Sequence, residues 1–187
     1  MKKTVLIFGL ISGAIISVMM IISMAFLDDI GFDRGEVVGY TSMVVAFLLV
    51  FFGIRSYRDN IAGGEVKFGR AFAVGALIVA VSSLCYVATW EVIYFRLMPD
   101  FGAKYQAHMM EKARASGASE AALAQKKAEM DELVVLYRNP AINASIPFLE
   151  PLPVGLIIAL VSAGVLSRRR KRDVTELGPV SRAGVSS

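Results

Sequence analysis

The sequence predicts an all-α membrane protein with four transmembrane helices and a helical hairpin in the outer loop between the third and fourth spans. Two observations carry this. Hydrophobic residues make up 56% of the chain and charged ones 19%, whereas soluble domains carry about 25% charged residues. The apolar residues also fall into four runs, each near the roughly 20 residues needed to cross a hydrocarbon core. Strands are set aside because an isolated strand in lipid leaves its backbone polar groups unpaired, whereas a helix satisfies them internally.

The first run extends from about Thr4 to Leu27 without a charge. It follows Lys2 and Lys3, and Ser23-Met24-Ala25 has the small-x-small form of a cleavage site. A signal peptide, however, has an apolar core of about 7–15 residues. This run is longer, so it is expected to remain as a span. The second run, about Val37 to Ile54, is uncharged and rich in Val, Phe and Leu. The third, about Ala71 to Leu97, holds Glu91 and Arg96 near its end, and the fourth, about Ile146 to Leu166, holds Glu150 near its start. The resulting organisation is one membrane domain over residues 1–170, with spans at about 4–27, 37–54, 71–97 and 146–166. A disordered cytoplasmic tail is expected over 173–187, which contains Gly, Ser and Val.

Segment 98–145 is the only sizeable polar stretch, Ala-rich and mixed in charge, which favours helix. Phe101, Tyr105 and Met109 recur at four-residue spacing on one face. A break is expected at Ser116-Gly117-Ala118-Ser119. From Ser119, a good N-cap, a second helix should run to Tyr137, with Leu123, Met130, Leu133, Val134 and Tyr137 as its apolar stripe. Asn139-Pro140 should end it. The expected hairpin competes with a solvated, partly helical linker.

Charge sets the threading. With the N-terminus inside, segments 1–3, 55–70 and 167–187 hold 2, 4 and 6 Lys or Arg, a total of 12 in 40 residues. Segments 28–36 and 96–145 then hold 1 and 7, a total of 8 in 59. The loop 28–36 sets Asp28, Asp29, Asp33 and Glu36 against Arg34 alone, and Arg168-Arg169-Arg170-Lys171-Arg172 follows the fourth span. The positive-inside rule therefore places both termini in the cytoplasm. The same distribution accounts for the net charge of +4. No basic helix interleaved with aromatics is present to suggest nucleic-acid binding.

Chemistry-bearing residues are few. Cys85 is the single cysteine and His108 the single histidine, so neither an internal disulfide nor a cysteine or two-histidine metal site can form. No cofactor is expected. His108 reads as a surface residue. Gly63-Gly64 reads as a turn, without the strand–Gly–helix context of a phosphate cradle, and Asn143-Ala144-Ser145 is a short match to a glycosylation acceptor.

Two carboxylates stand out. Glu91, between Trp90 and the nearby Tyr94, lies about 9 Å below the helix end at 1.5 Å per residue. An ionisable group in a span is a functional hypothesis by default. The plainer account has it pairing with Arg34 or Arg96 at the interface, with Trp90 and Tyr94 as belt aromatics. Glu150, in Glu150-Pro151-Leu152-Pro153, reads as a cap favoured by the helix dipole. If the two carboxylates face each other, they could share a proton or a cation. Small residues recur four apart as Gly9, Gly13 and Ser17, and as Gly155, Ala159 and Ala163. They serve either a dimer face or packing within one bundle.

The stretch Gly53-Ile54-Arg55-Ser56-Tyr57-Arg58-Asp59, then Gly63-Gly64-Glu65-Val66-Lys67-Phe68-Gly69-Arg70-Ala71-Phe72-Ala73-Val74-Gly75, resembles the loop between the second and third spans of the bacterial membrane family called domain of unknown function 4199. Trp90-Glu91 and Leu152-Pro153-Val154-Gly155 fit the same family, over roughly residues 1–170. The resemblance implies a four-span protein of a bacterial inner membrane whose role is not established. It implies no catalytic residues. In the loop, Phe68 and Phe72 are read as docking at the membrane face, with Arg55, Arg58 and Arg70 meeting phosphate head groups. Ordinary positive-inside flanking would explain the same arginines.

The functional expectation is a non-enzymatic structural or accessory protein, acting through helix packing and its outer hairpin. Its partners would be the bilayer and a membrane-protein partner or a second copy. The alternative is a small transporter or ion-handling protein using Glu91.

Overall fold

In the computed structural model, residues 1–167 are described; they fold into helices joined by short turns, and no strand occurs among them. In chain order the helices are α1 (Lys2–Ala25), α2 (Leu27–Ile30), α3 (Phe32–Asn60), α4 (Phe68–Val92), α5 (Phe101–Ala115), α6 (Glu120–Tyr137), α7 (Pro140–Leu149) and α8 (Pro151–Leu166). A π-helical turn, Ile93–Leu97, prolongs α4. Four segments are long and apolar enough to cross a membrane: Lys2–Ala25, Phe32–Asn60, Phe68–Leu97 and Pro140–Leu166. The basic run Arg168 to Arg172 and the expected tail 173–187 lie outside the described residues.

Two spans start earlier than their apolar runs suggest, for local reasons. α3 is 29 residues long and begins at Phe32, ahead of Val37. At 1.5 Å per residue it is about 43 Å long, well beyond a hydrocarbon core of about 30 Å. The turn carrying Asp33 and Glu36 is therefore a helical extension of the span and not a loop. In the fourth span, Asn139 does more than end α6. Its Oδ1 accepts the Ala141 N–H at 3.0 Å, and Pro140 follows at the first helical position. Stop and start thus fall on the same pair, and the helix begins at Pro140 instead of Ile146.

The bundle is held by close backbone approach at small residues. A Cβ added at Gly9 would lie 2.7 Å from Val81 Cβ, and one at Gly13 would lie 2.7 Å from Cys85 Cβ, so α1 rests directly on α4. At Gly155 an added Cβ would come within 2.5 Å of Val79 Cγ1, and one at Gly75 within 2.9 Å of Ala159 Cβ. These contacts join α8 to α4. Serines bond between helices as well, α1 to α3 and α4 to α1. Ser12 donates to the Ala46 carbonyl at 3.0 Å, and Ser82 donates to the Gly9 carbonyl at 3.1 Å. Small residues give packing contact where lipid supplies no hydrophobic drive between helices. Phe47, Val50, Ile54, Ile78 and Val79 fill the centre, all fully buried.

The turn between α3 and α4 uses Gly63 and Gly64 at φ +73° and +90°, where side chains with a Cβ are strained. Tyr57 and Val66 are buried beneath it. At the opposite end of the bundle, α5 and α6 pack on each other through a turn in which Gly117 has φ +78°. Ser119 caps α6 by accepting the Ala122 N–H at 3.3 Å, and Gln106 donates to Asp131 Oδ1 at 2.6 Å across the pair.

Candidate functional site

Beneath α5 and α6 lies a cavity of about 530 Å³. Its floor and walls come from α1, α3, α4 and α7, and its cover from the apolar faces of the two polar helices. Phe101, Tyr105 and Met109 of α5 and Met130, Leu133 and Val134 of α6 all turn into it. The periodicity that makes these helices amphipathic is thereby explained. Most of each apolar stripe faces the cavity, although Leu123 of α6 does not line it, and His108 and Lys112 of α5 stand at its edge.

α5 is tied down by charge and ring contacts that no sequence spacing marks. Lys112 Nζ lies 2.7 Å from Asp33 Oδ1, and Lys104 Nζ lies 3.2 Å from Asp28 Oδ1. The hydrogen bond to Asp33 and its negative charge raise the Lys112 pKa above the usual lysine value, and Asp28 does the same for Lys104. Phe32 stands edge-on to Phe101 and Tyr105, with ring centres at 5.8 and 5.6 Å, and stacks on His108 at 5.0 Å. His108 Nε2 is 3.5 Å from Asp33 Oδ1, so the histidine belongs to this contact and is not a free surface residue.

The polar end of the cavity is built around Glu150. The Tyr86 hydroxyl donates to Glu150 Oε2 at 3.0 Å. Tyr40 and Glu36, one helical turn apart on α3, line the same space. Glu150 makes no side-chain capping bond at the start of α8. The cap expected from the sequence is replaced by the tyrosine contact, because α7 continues the span outward and leaves Glu150 between two helices. Among the described residues no cation lies within 4.0 Å of Glu150 or of Glu36.

Trp90 and Asn143 fix this geometry. The indole Nε1–H donates to Asn143 Oδ1 at 2.6 Å, and Asn143 Nδ2 donates to the Tyr137 carbonyl at 3.0 Å. Asn143 is 0% exposed and Trp90 8%. Trp90 is thus a buried anchor and not an interfacial belt residue, and the glycosylation pattern at Asn143 is closed by burial. Burial, with the charge of Glu150 adding to it, raises the pKa of the nearby Tyr137 hydroxyl.

Glu91 stands apart from this cluster. It does not line the cavity, and it forms no ion pair with Arg34 or Arg96. Its Oε1 is buried and makes no hydrogen bond within the protein. Five residues separate it from Tyr86, so Glu150 lies about 7.5 Å deeper in the bundle than Glu91 at 1.5 Å per residue. No hydrogen bond joins the two carboxylates among the described residues, and each has its own surroundings.

The remaining sequence candidates fall in two places. Gly9, Gly13, Gly155, Ala159 and Ala163 lie in the interior seams of the bundle, and both alanines are fully buried. In the last turns of α3, Arg58 Nε meets Asp59 Oδ1 at 2.7 Å and Arg55 Nε meets Asp59 Oδ2 at 3.6 Å, while Arg70, in the first turn of α4, is exposed. Phe68 and Phe72 stack with ring centres 6.3 Å apart. Among the described residues no three His, Cys, Asp or Glu side chains converge as a metal site would require.

The family described as Protein of unknown function (DUF4199) matches residues 7–168, and the chain belongs to it. No curated protein and no solved structure matches the chain.

Proposed function

We propose that the protein is a non-enzymatic accessory protein of a bacterial inner membrane that works by holding an amphipathic small molecule. In this reading both termini are cytoplasmic, as the Lys and Arg distribution favours. The polar helices α5 and α6 form an outer hairpin that covers the binding cavity. The observation that carries the proposal is the cavity itself. Its volume of about 530 Å³ falls within the roughly 300–1,000 Å³ range of ligand pockets. Its walls are mainly Met, Leu, Val and aromatic side chains, with one hydrogen-bonded carboxylate–tyrosine pair at one end. Apolar walls with few convergent polar groups are the equipment of a binding site.

Trp90 lines the cavity and is the only tryptophan, so its emission reports occupancy. Titration of the protein in lipid nanodiscs with the neutral probe N-phenyl-1-naphthylamine should give saturable quenching. Gly39 also lines the cavity, and a Cβ built there meets nothing within 4 Å. Gly39→Leu should therefore fill the space without disturbing the helix and abolish the response. An unsaturable signal, or the same signal from folded Gly39→Leu, would overturn the proposal.

A second reading, an ion-handling protein using Glu91, is favoured by that residue's buried, unpartnered Oε1. Solute uptake unchanged by Glu91→Gln would remove it.

A further inference from the structure

The charged groups lining the cavity are Asp33, Glu36, His108, Lys112 and Glu150. Lys112 is held by Asp33 at 2.7 Å, and His108 leans on the same carboxylate at 3.5 Å. Glu36 and Glu150 are then left as two carboxylates lining one half-open space with no positive group within 4.0 Å among the described residues, Lys112 acting on Glu36 only at longer range. Glu150 is an exposed residue at the edge of this region, and its single side-chain hydrogen bond comes from the Tyr86 hydroxyl. A carboxylate within a membrane span is costly unless it is paired or solvated. Tyr40, Tyr86, Trp90 and Tyr94 line the same space. Their faces are electron-rich and attract cations within about 6 Å of the ring centre.

We propose that the cavity binds a lipophilic organic monocation, an ammonium-type charge on an apolar body, with the charge seated on Glu150 and the tyrosine–tryptophan rings and the body under α5 and α6. The assignment rests on the preceding reading that the cavity is a binding site. Three features point to the charge type. An anion would meet two unpaired carboxylates. A neutral guest would leave them unpaired in a mainly apolar chamber. A small hydrated metal ion would leave the Met, Leu and Val walls without a purpose. One organic cation satisfies both ends, with Glu150 as the direct counter-ion and Glu36 adding its field from α3.

The same chemistry occurs free in solution and in the amine head group of a membrane lipid. The commitment is to the free cation, because the cavity is covered by α5 and α6, with their apolar faces turned inward.

The test uses full-length protein in nanodiscs and two probes of nearly the same size and opposite charge, tetraphenylphosphonium and tetraphenylborate, read by Trp90 emission. The cation should bind saturably and at least about ten-fold more tightly than the anion, a difference of roughly 1.4 kcal/mol. Glu150→Gln keeps an oxygen to accept the Tyr86 bond. It should remove the cation preference and leave binding of neutral N-phenyl-1-naphthylamine intact, whereas Glu36→Gln should reduce the preference only in part. Equal affinity for the two ions, or a preference unmoved by Glu150→Gln, overturns the assignment while the neutral probe still reports a working cavity. Loss of the neutral probe from the unmodified protein would instead sink the underlying binding reading. At fixed phosphatidylglycerol content, replacing an amine-free galactolipid with phosphatidylethanolamine should not change phosphonium affinity. A several-fold loss would overturn the choice of a free cation and assign the seat to the lipid amine.

Discussion

Asn143 gives the most quantitative test of the structure. It is fully buried, accepts from the Trp90 indole at 2.6 Å and donates to the Tyr137 carbonyl at 3.0 Å. Asn143→Leu keeps the branched shape and heavy-atom count of the side chain, though it is bulkier, and removes both bonds. The indole N–H and the carbonyl are left behind with nothing in reach. In soluble interiors each such orphan costs about 1–3 kcal/mol. In membrane bundles, side-chain hydrogen bonds average only about 0.6 kcal/mol and reach about 1.7. The lower average reflects unfolded states in lipid that find other partners. Trp90 at 8% exposure and Asn143 at 0% have little access to water in the folded state. The upper membrane values therefore apply, and two lost bonds amount to about 1.5–3 kcal/mol. Trp90→Phe removes only the indole bond, so the coupling between the two changes should be about 0.5–1.5 kcal/mol. The assay is reversible unfolding in mixed micelles by dodecyl sulfate, followed by far-ultraviolet circular dichroism because Trp90→Phe removes the fluorophore. A coupling of zero within error, or a loss below about 0.5 kcal/mol for Asn143→Leu, would refute the claim that this pair anchors α7 to α4.

Three further outcomes follow from particular contacts. Gly155→Ala should cost about 1–3 kcal/mol by overpacking against Val79, whereas Gly39→Ala should be neutral or slightly stabilising; denaturant midpoints check both. The Lys112 pKa is raised, so its tie to Asp33 is intact below the ordinary lysine value and lost as pH climbs through the raised one. Asp131 is lowered, chiefly by its hydrogen bond from Lys127 and then by Gln106, so its contribution is present above the usual carboxylate range and lost as pH falls through the depressed value. A spin label at Glu111→Cys in a Cys85→Ser background should accordingly be least mobile between about pH 4 and 10 and loosen on both sides. In the same background, an impermeant maleimide should label Ser116→Cys in intact cells and Glu65→Cys only after permeabilisation; the reverse would invert the proposed threading.

What the sequence made legible is what hydropathy and helix chemistry govern directly. Four apolar runs mark four helices, Ser119 caps α6, and Gly117 breaks the chain between α5 and α6. Span limits were harder to read because polar residues can extend a span. α3 carries Asp33 and Glu36 in its first turns, and α7 starts at a pair that looks like a stop. Gly9 and Gly13 were visible as small residues, but their partners, Val81 and Cys85, were not. The Trp90–Asn143 bond spans 53 residues, and no periodicity connects two single residues that far apart.

The two carboxylates show why the site itself was hidden. Hydropathy places Glu91 inside a long apolar run and Glu150 at the mouth of another, so depth read from the sequence favours Glu91. The structure reverses the order, because α7 adds helix ahead of Glu150 and carries it down to the level of Tyr86. Three prolines allow this. Pro147 sits within α7, and Pro151 and Pro153 open α8. Each removes a backbone N–H, so the helical hydrogen-bond ladder is interrupted where α7 passes into α8. Glu150 stands at that junction in helical conformation, and its side chain is given to Tyr86 instead of to a helix end. Which carboxylate reaches the cavity thus depends less on its place in an apolar run than on how much helix precedes it. The ten residues of α7 set Glu150, with no cation within 4.0 Å among the described residues, on the cavity that α5 and α6 also line.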